Sequence, residues 1–198
     1  MEENNYKKSK SKFKTIDIVY IGIFAAIIAV CAWISIPLTV PITLQTLGVC
    51  VTAGLLGTKR GTLSVAIYIL LGIIGVPVFA SFSSGLGYLL GATGGYIIGF
   101  IFTALIIGVM VKSLGKKVWV YALSMVIGVI ACYIFGTIWF IYVYNRGNAD
   151  AVSLVTVLGW CVTPFIIPDM IKIAVATLLC VKLDKYVDNG KKLKIDKI

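Results

Sequence analysis

The 198-residue sequence contains no histidine. That single absence removes H-E-x-x-H metal sites, Ser-His dyads and histidine proton relays together. Acidic residues are scarce as well, eight against 18 lysines and arginines, for a formal net charge of +10. Only Asp169 falls inside a long apolar run, with Asp17 at the edge of another, so an intramembrane protease built on two aspartates lacks its second acid. A serine–lysine arrangement, for example Ser83 or Ser84 with Lys172, has no supporting spacing. No G-x-x-x-x-G-K-[ST] phosphate loop occurs, and any ATP-driven step must draw on an ATPase in another chain. The cysteines, Cys31, Cys50, Cys132, Cys161 and Cys180, are odd in number and show no C-x-x-C spacing, and they read as packing residues. An enzyme is not expected, and neither is a metal or a cofactor.

What the sequence has in excess is hydrocarbon. Apolar residues make up 60%, charged residues only 13%, and mean hydropathy is +1.02. These values describe an all-α, polytopic membrane protein. A helix needs about 20 residues to cross about 30 Å of hydrocarbon. Six runs approach that length, at 16–36, 44–57, 61–76, 92–111, 118–144 and 165–183, with a less regular stretch at 151–163 before the last. The second and third are short, which points to tilting, extension into loops, or a hairpin about Thr58, Lys59 and Arg60.

Lysine and arginine stay on the cytoplasmic side of spans joined by short loops. Basic residues cluster in the N-terminal tail (Lys7, Lys8, Lys10, Lys12, Lys14), after the second run (Lys59, Arg60), after the fourth (Lys112, Lys116, Lys117) and after the sixth (Lys182, Lys185, Lys191, Lys192, Lys194, Lys197). The only others are Arg146, in an alternate loop, and Lys172, within the last run. Both termini are therefore expected in the cytoplasm, around six transmembrane helices. The layout is a basic tail at 1–15, a membrane domain at 16–186 and a second basic tail at 187–198. Nucleic-acid binding is not expected, since no soluble domain remains to carry a basic face. Ile28-Ala29-Val30-Cys31 is a poor lipoprotein box because Val30 stands where a small residue is needed, so the first run reads as a retained span rather than a signal peptide.

The outer loops are uncharged. The first carries Thr43, Gln45 and Thr46 as neutral hydrogen-bonding groups, and the third-to-fourth connection mixes Phe79 and Phe82 with Ser81, Ser83 and Ser84. Such segments can close over a ligand or rest in the membrane interface. Gly87, Gly91, Gly95 and Gly99 then recur every four residues, as on one face of a helix. Close packing of helices explains such a stripe. Backbone exposed to a ligand at Gly91, Thr93, Gly94 and Tyr96 explains it as well. Asp169 and Lys172 are three apart, on one helical face, in surroundings that penalise an isolated charge by roughly 2.5 to 3.5 kcal/mol. They read either as a structural ion pair or, preferably, as a polar site near the outer mouth.

P-I-T-L-Q-T at 41–46, G-V-P-V-F at 75–79, G-A-T-G-G-Y at 91–96 and P-D-M-I-K at 168–172 together resemble the BioY family, the biotin-specific S components of energy-coupling factor importers. The resemblance spans about 16–186. It implies six helices holding one biotin near the external face of a bacterial plasma membrane, docked on a transmembrane coupling subunit served by two ATPases. It also implies that Asp169 and Lys172 contact the ligand, with Thr43 or Gln45, the Gly91–Tyr96 backbone, Trp139 and Tyr142 lining the site. Asp169 suits a ureido N–H, while Lys172 suits either the ureido oxygen or the tail carboxylate. The family docks through small residues on its first helix, here Ala25 and Ala29 with Gly22 and Ala26 beside them. An S component for another vitamin, such as thiamine or riboflavin, would share the architecture, whereas a self-sufficient carrier would be expected to show inverted repeats or a polar pathway through several spans, and only the last run carries charges deep among apolar residues.

Overall fold

A computed structural model of the chain describes residues 14–38, 40–147 and 152–192. Of the tail assigned to 1–15 only the last two residues are described, and of that assigned to 187–198 the first six, which continue the last helix. Among those residues the fold is all-helical apart from one two-residue antiparallel pair. Its elements are α1 (Thr15–Trp33), β1 (Ser35–Ile36), β2 (Ile42–Thr43), α2 (Gln45–Ile73), α3 (Leu86–Leu90), α4 (Gly94–Leu114), α5 (Val118–Gly147), α6 (Leu154–Cys161) and α7 (Thr163–Lys192), with a 3-10 turn at Ala80–Phe82. Five of the described helices, α1, α2, α4, α5 and α7, are long and apolar enough to cross a membrane.

α2 is not one straight rod. Gly57 has φ +72° and ψ −174°, which breaks the helical path at a torsion only glycine adopts without strain. The halves then fold back on each other. The Gln45 amide nitrogen donates to the Tyr68 hydroxyl at 2.7 Å, whereas 23 residues of straight helix would span about 35 Å. A Cβ on Gly61 would lie 2.9 Å from the Ala53 Cα, so glycine is required where the arms meet. The two short runs of the sequence are the two arms of this hairpin, Gln45 to Leu56 and Thr58 to Ile73.

α2 sits at the centre, packed on α1, α4 and α7, with α5 packed on α4 and α7. The α4–α5 seam is made by missing side chains. A Cβ on Gly95 would fall 2.3 Å from the Trp139 Cβ, one on Gly99 2.9 Å from the Cys132 Sγ, and one on Gly136 2.2 Å from the Tyr96 ring. The glycine stripe therefore does not form a single helical face. Gly87 belongs to α3, Gly91 ends it, and only Gly95 and Gly99 share α4, where they admit α5 rather than a ligand.

Charges mark one end of the bundle. Asp17 accepts from the Lys14 backbone N–H at 3.0 Å and caps the start of α1. The same carboxylate lies 2.7 Å from Arg60 Nη2 at the hairpin tip, as an ion pair rather than an aligned hydrogen bond. Lys116, in the α4–α5 turn, pairs with Asp184 of α7 at 2.5 Å. Arg60→Ala would leave the buried Asp17 carboxylate without its cation, and we expect a destabilisation of about 1 to 3 kcal/mol, read as a lower melting temperature in detergent. Elsewhere the surface is apolar: Leu123, Ile127, Ile130, Ile134 and Ile138 form an exposed stripe along α5, as a lipid-facing helix requires.

Candidate ligand-binding site

At the opposite end from those ion pairs, the β1–β2 connection, the loop after α2 and the start of α7 converge on a cavity. It encloses about 630 Å³, the part open to solvent included. Its walls are mostly apolar, with Val40, Ile97, Phe100, Val129 and Phe165 among them. Its polar groups are few and mutually arranged.

α7 supplies the charges. Pro168 lies inside this helix, and lacking an N–H it leaves a backbone carbonyl of the preceding turn without its helical donor just before Asp169. Lys172 Nζ donates to Asp169 Oδ1 at 2.7 Å, and both side chains are buried and border the cavity. Tyr133 of α5 donates its hydroxyl to the other oxygen, Oδ2, at 2.5 Å. A carboxylate has about four acceptor positions and an ammonium three donors. These protein contacts leave about two lone pairs on Asp169 and two N–H groups on Lys172 beside the cavity.

α2 and the hairpin before it supply neutral groups. The Gln45 backbone N–H donates to Thr43 Oγ1 at 3.2 Å, which fixes the Thr43 side chain, and the bond to Tyr68 fixes Gln45. Tyr68 in turn meets Phe79 edge-on, and Phe79 stacks on Tyr88 at 5.5 Å, so the wall behind the site is aromatic. Above it, Trp33 Nε1 donates to the Pro77 carbonyl at 2.8 Å and its ring stacks on Phe82, tying the end of α1 to the loop after α2.

Of the ligand contacts expected from the sequence, Thr43, Gln45, Thr93, Tyr96, Asp169 and Lys172 border the cavity. Four do not. The Gly91 carbonyl is taken by Trp139 Nε1 at 3.0 Å, which occupies both residues in joining α4's approach to α5. Gly94 is buried, and a Cβ there would collide with the Leu89 carbonyl oxygen at 1.6 Å, so this glycine serves a tight turn. Tyr142 points outward, 54% exposed, beneath the Arg146 guanidinium. The docking residues divide too: Ala25 and Ala29 are buried inside the bundle, while Gly22 and Ala26 lie on the outer face of α1. Tyr133 was not singled out in the sequence, although a hydroxyl within an otherwise apolar span is a signal of the same kind as Asp169.

A bundle of membrane-length apolar helices with a cavity between them, neutral polar groups on its wall and a buried acid–base pair bordering it defines a small-solute-binding membrane protein. The chain belongs to the BioY family, whose sequence profile matches residues 6–189. It is 44% identical over 166 residues to the biotin transporter BioY of Thermotoga maritima, covering 83% of this chain and 93% of that one. It is 37% identical over 171 residues to a probable biotin transporter BioY of Pyrococcus horikoshii, covering 86% and 97%. A crystal structure of the S-component for biotin from an ECF-type ABC transporter superposes with a TM-score of 0.78 at 30% identity, covering 93% of this chain and 95% of the other.

Proposed function

We propose that the chain is the biotin-binding S component of an energy-coupling factor importer in a bacterial plasma membrane. The observation that carries this reading is the Asp169–Lys172 pair, buried yet bordering a cavity otherwise lined by apolar and aromatic walls. Biotin presents two ureido N–H donors and one strong acceptor oxygen on an apolar bicycle. Asp169 accepts from a ureido N–H with its remaining lone pairs, Lys172 donates to an oxygen of the ligand, and the thiophane rests on the apolar wall. Thr43, Gln45, Thr93 and Tyr96 complete the enclosure. Such contacts gain selectivity in a dry site because a ligand lacking them leaves buried groups unpaired.

The topology we infer has six crossings: α1, both arms of α2, α4, α5 and α7. The fold-back at Gly57 and the gathering of Lys14, Lys59, Arg60, Lys112, Lys116, Lys117 and Lys182 at one end support it, with that end and both termini in the cytoplasm and the cavity outside. Residues 16–186 form a single membrane domain in this reading. The chain carries no phosphate loop, and release of biotin inward falls to a transmembrane coupling subunit and two ATPases. The outward face of α1, with Gly22 and Ala26, offers that subunit a close approach.

Uptake of labelled biotin by cells without their own importer tests the assignment. Uptake that depends on ATP and on co-expressed coupling and ATPase subunits, and that thiamine and riboflavin leave unaffected, is expected. ATP-independent uptake by the chain alone in liposomes would make it a self-sufficient carrier instead.

A further inference from the structure

A second space lies on the lipid-facing side of the Asp169 helix. Between α5, α6 and α7 runs an apolar groove of about 1210 Å³, the part open to the surroundings included, walled by Ile130, Ile134, Ile138, Leu158, Ile166 and Met170. Val129, Tyr133 and Asp169 border both the groove and the ligand cavity. These three are the described residues common to both spaces, and one of them is charged. Only Tyr133 and Thr137 among the other groove-lining residues carry a polar side-chain atom, and the Thr137 hydroxyl is engaged with Tyr96 Oη at 3.2 Å. Across this seam, side-chain bonds between α5 and α7 include Tyr133 to Asp169 at 2.5 Å and a weak contact from Thr177 Oγ1 to the Met125 sulfur at 3.6 Å.

From this arrangement we propose that Tyr133 is a positioning and specificity-determining residue of the ligand site. The proposal rests on the biotin reading given above. The Tyr133 hydroxyl holds Asp169 Oδ2, the oxygen that Lys172 leaves free, and its side chain stands between the two spaces, bordering both. A carboxylate turned toward the groove would face mostly apolar side chains, and charge against hydrocarbon is costly. The hydroxyl also spreads the carboxylate's charge over one more hydrogen bond. The acid left facing the cavity is then matched to a neutral N–H donor such as a ureido group, and less well matched to a cation.

Binding of biotin and of 2-iminobiotin, whose head is a cationic guanidinium, to wild type, Tyr133→Phe and Tyr133→Met tests this directly. Both variants fill the seam and lack the hydroxyl. Biotin affinity is expected to fall about tenfold in each, as loss of a hydrogen bond to a charged group implies. The iminobiotin affinity should fall less, lowering the biotin-to-iminobiotin preference several-fold, while the melting temperature of the ligand-free protein falls alike in both variants because the buried carboxylate loses a donor. Unaltered biotin affinity in both variants overturns the proposal. Equal weakening of both ligands overturns it as well, since that marks a packing role alone. A folded wild-type chain that binds neither ligand removes the biotin reading itself, and this inference with it.

Discussion

Asp169→Asn is expected to lower biotin affinity about 100-fold, equivalent to about 2.7 kcal/mol, and Lys172→Ala by about tenfold or more. Asparagine keeps the shape of the side chain but replaces an ionised acceptor with a neutral one, and it leaves Lys172 buried without its anion. Each single change should also destabilise the protein, because breaking a buried pair leaves one uncompensated charge. Stability and binding can be separated with a double replacement. Asp169→Leu with Lys172→Met removes both charges, and apolar substitutes for a buried pair are often neutral or stabilising. The double variant should therefore melt near the wild-type temperature and bind no biotin. Were the pair only a structural bridge, that variant would keep its affinity. Equilibrium binding and thermal denaturation on the same four proteins decide between the two.

Gly136→Ala carries the second large effect. The new methyl would sit 2.2 Å from the Tyr96 Cδ1 and 2.3 Å from its Cε1, and the ring cannot swing away freely because its hydroxyl is held by Thr137. Relief comes from parting α4 and α5 or from pushing Tyr96 into the ligand cavity it borders. Overpacking of this kind costs about 1 to 3 kcal/mol. A lower melting temperature together with a biotin affinity reduced about tenfold is expected. Gly95→Ala meets the Trp139 Cβ at 2.3 Å, away from the cavity lining, and should lower stability with a smaller effect on binding. Gly22→Ala, with nothing within 4 Å of the added atom, should leave stability unchanged.

Those contrasts show which parts of the molecule could be read in advance. Asp169 and Lys172 were conspicuous because lipid penalises charge wherever it occurs, so their presence in an apolar run needs a reason whatever the fold. The polar residues of the first loop stood out similarly, and Thr43 and Gln45 do face the cavity. The glycine stripe leaves packing and ligand contact both open, because a missing side chain makes room for whatever lies opposite. For Gly95 that is Trp139, 44 positions away, which no local pattern reveals. Likewise α3 ends at Leu90, with Gly91 capping it, and α4 begins at Gly94, a break that divides the stripe between two elements. On α1, Ala25 with Ala29 and Gly22 with Ala26 have identical spacing. Only the position of α2 decides that the first pair is buried and the second exposed. Tyr133 was missed for the related reason that its role exists only once α5 and α7 stand side by side.

The central claim is that this cavity holds one biotin against Asp169. Equilibrium binding of radiolabelled biotin to the purified wild-type chain in detergent, with thiamine and riboflavin as competitors, tests it most directly. The account predicts saturable one-to-one binding that excess unlabelled biotin displaces and the other two vitamins do not. A folded chain that takes up no biotin, or that releases it to thiamine or riboflavin, would contradict it.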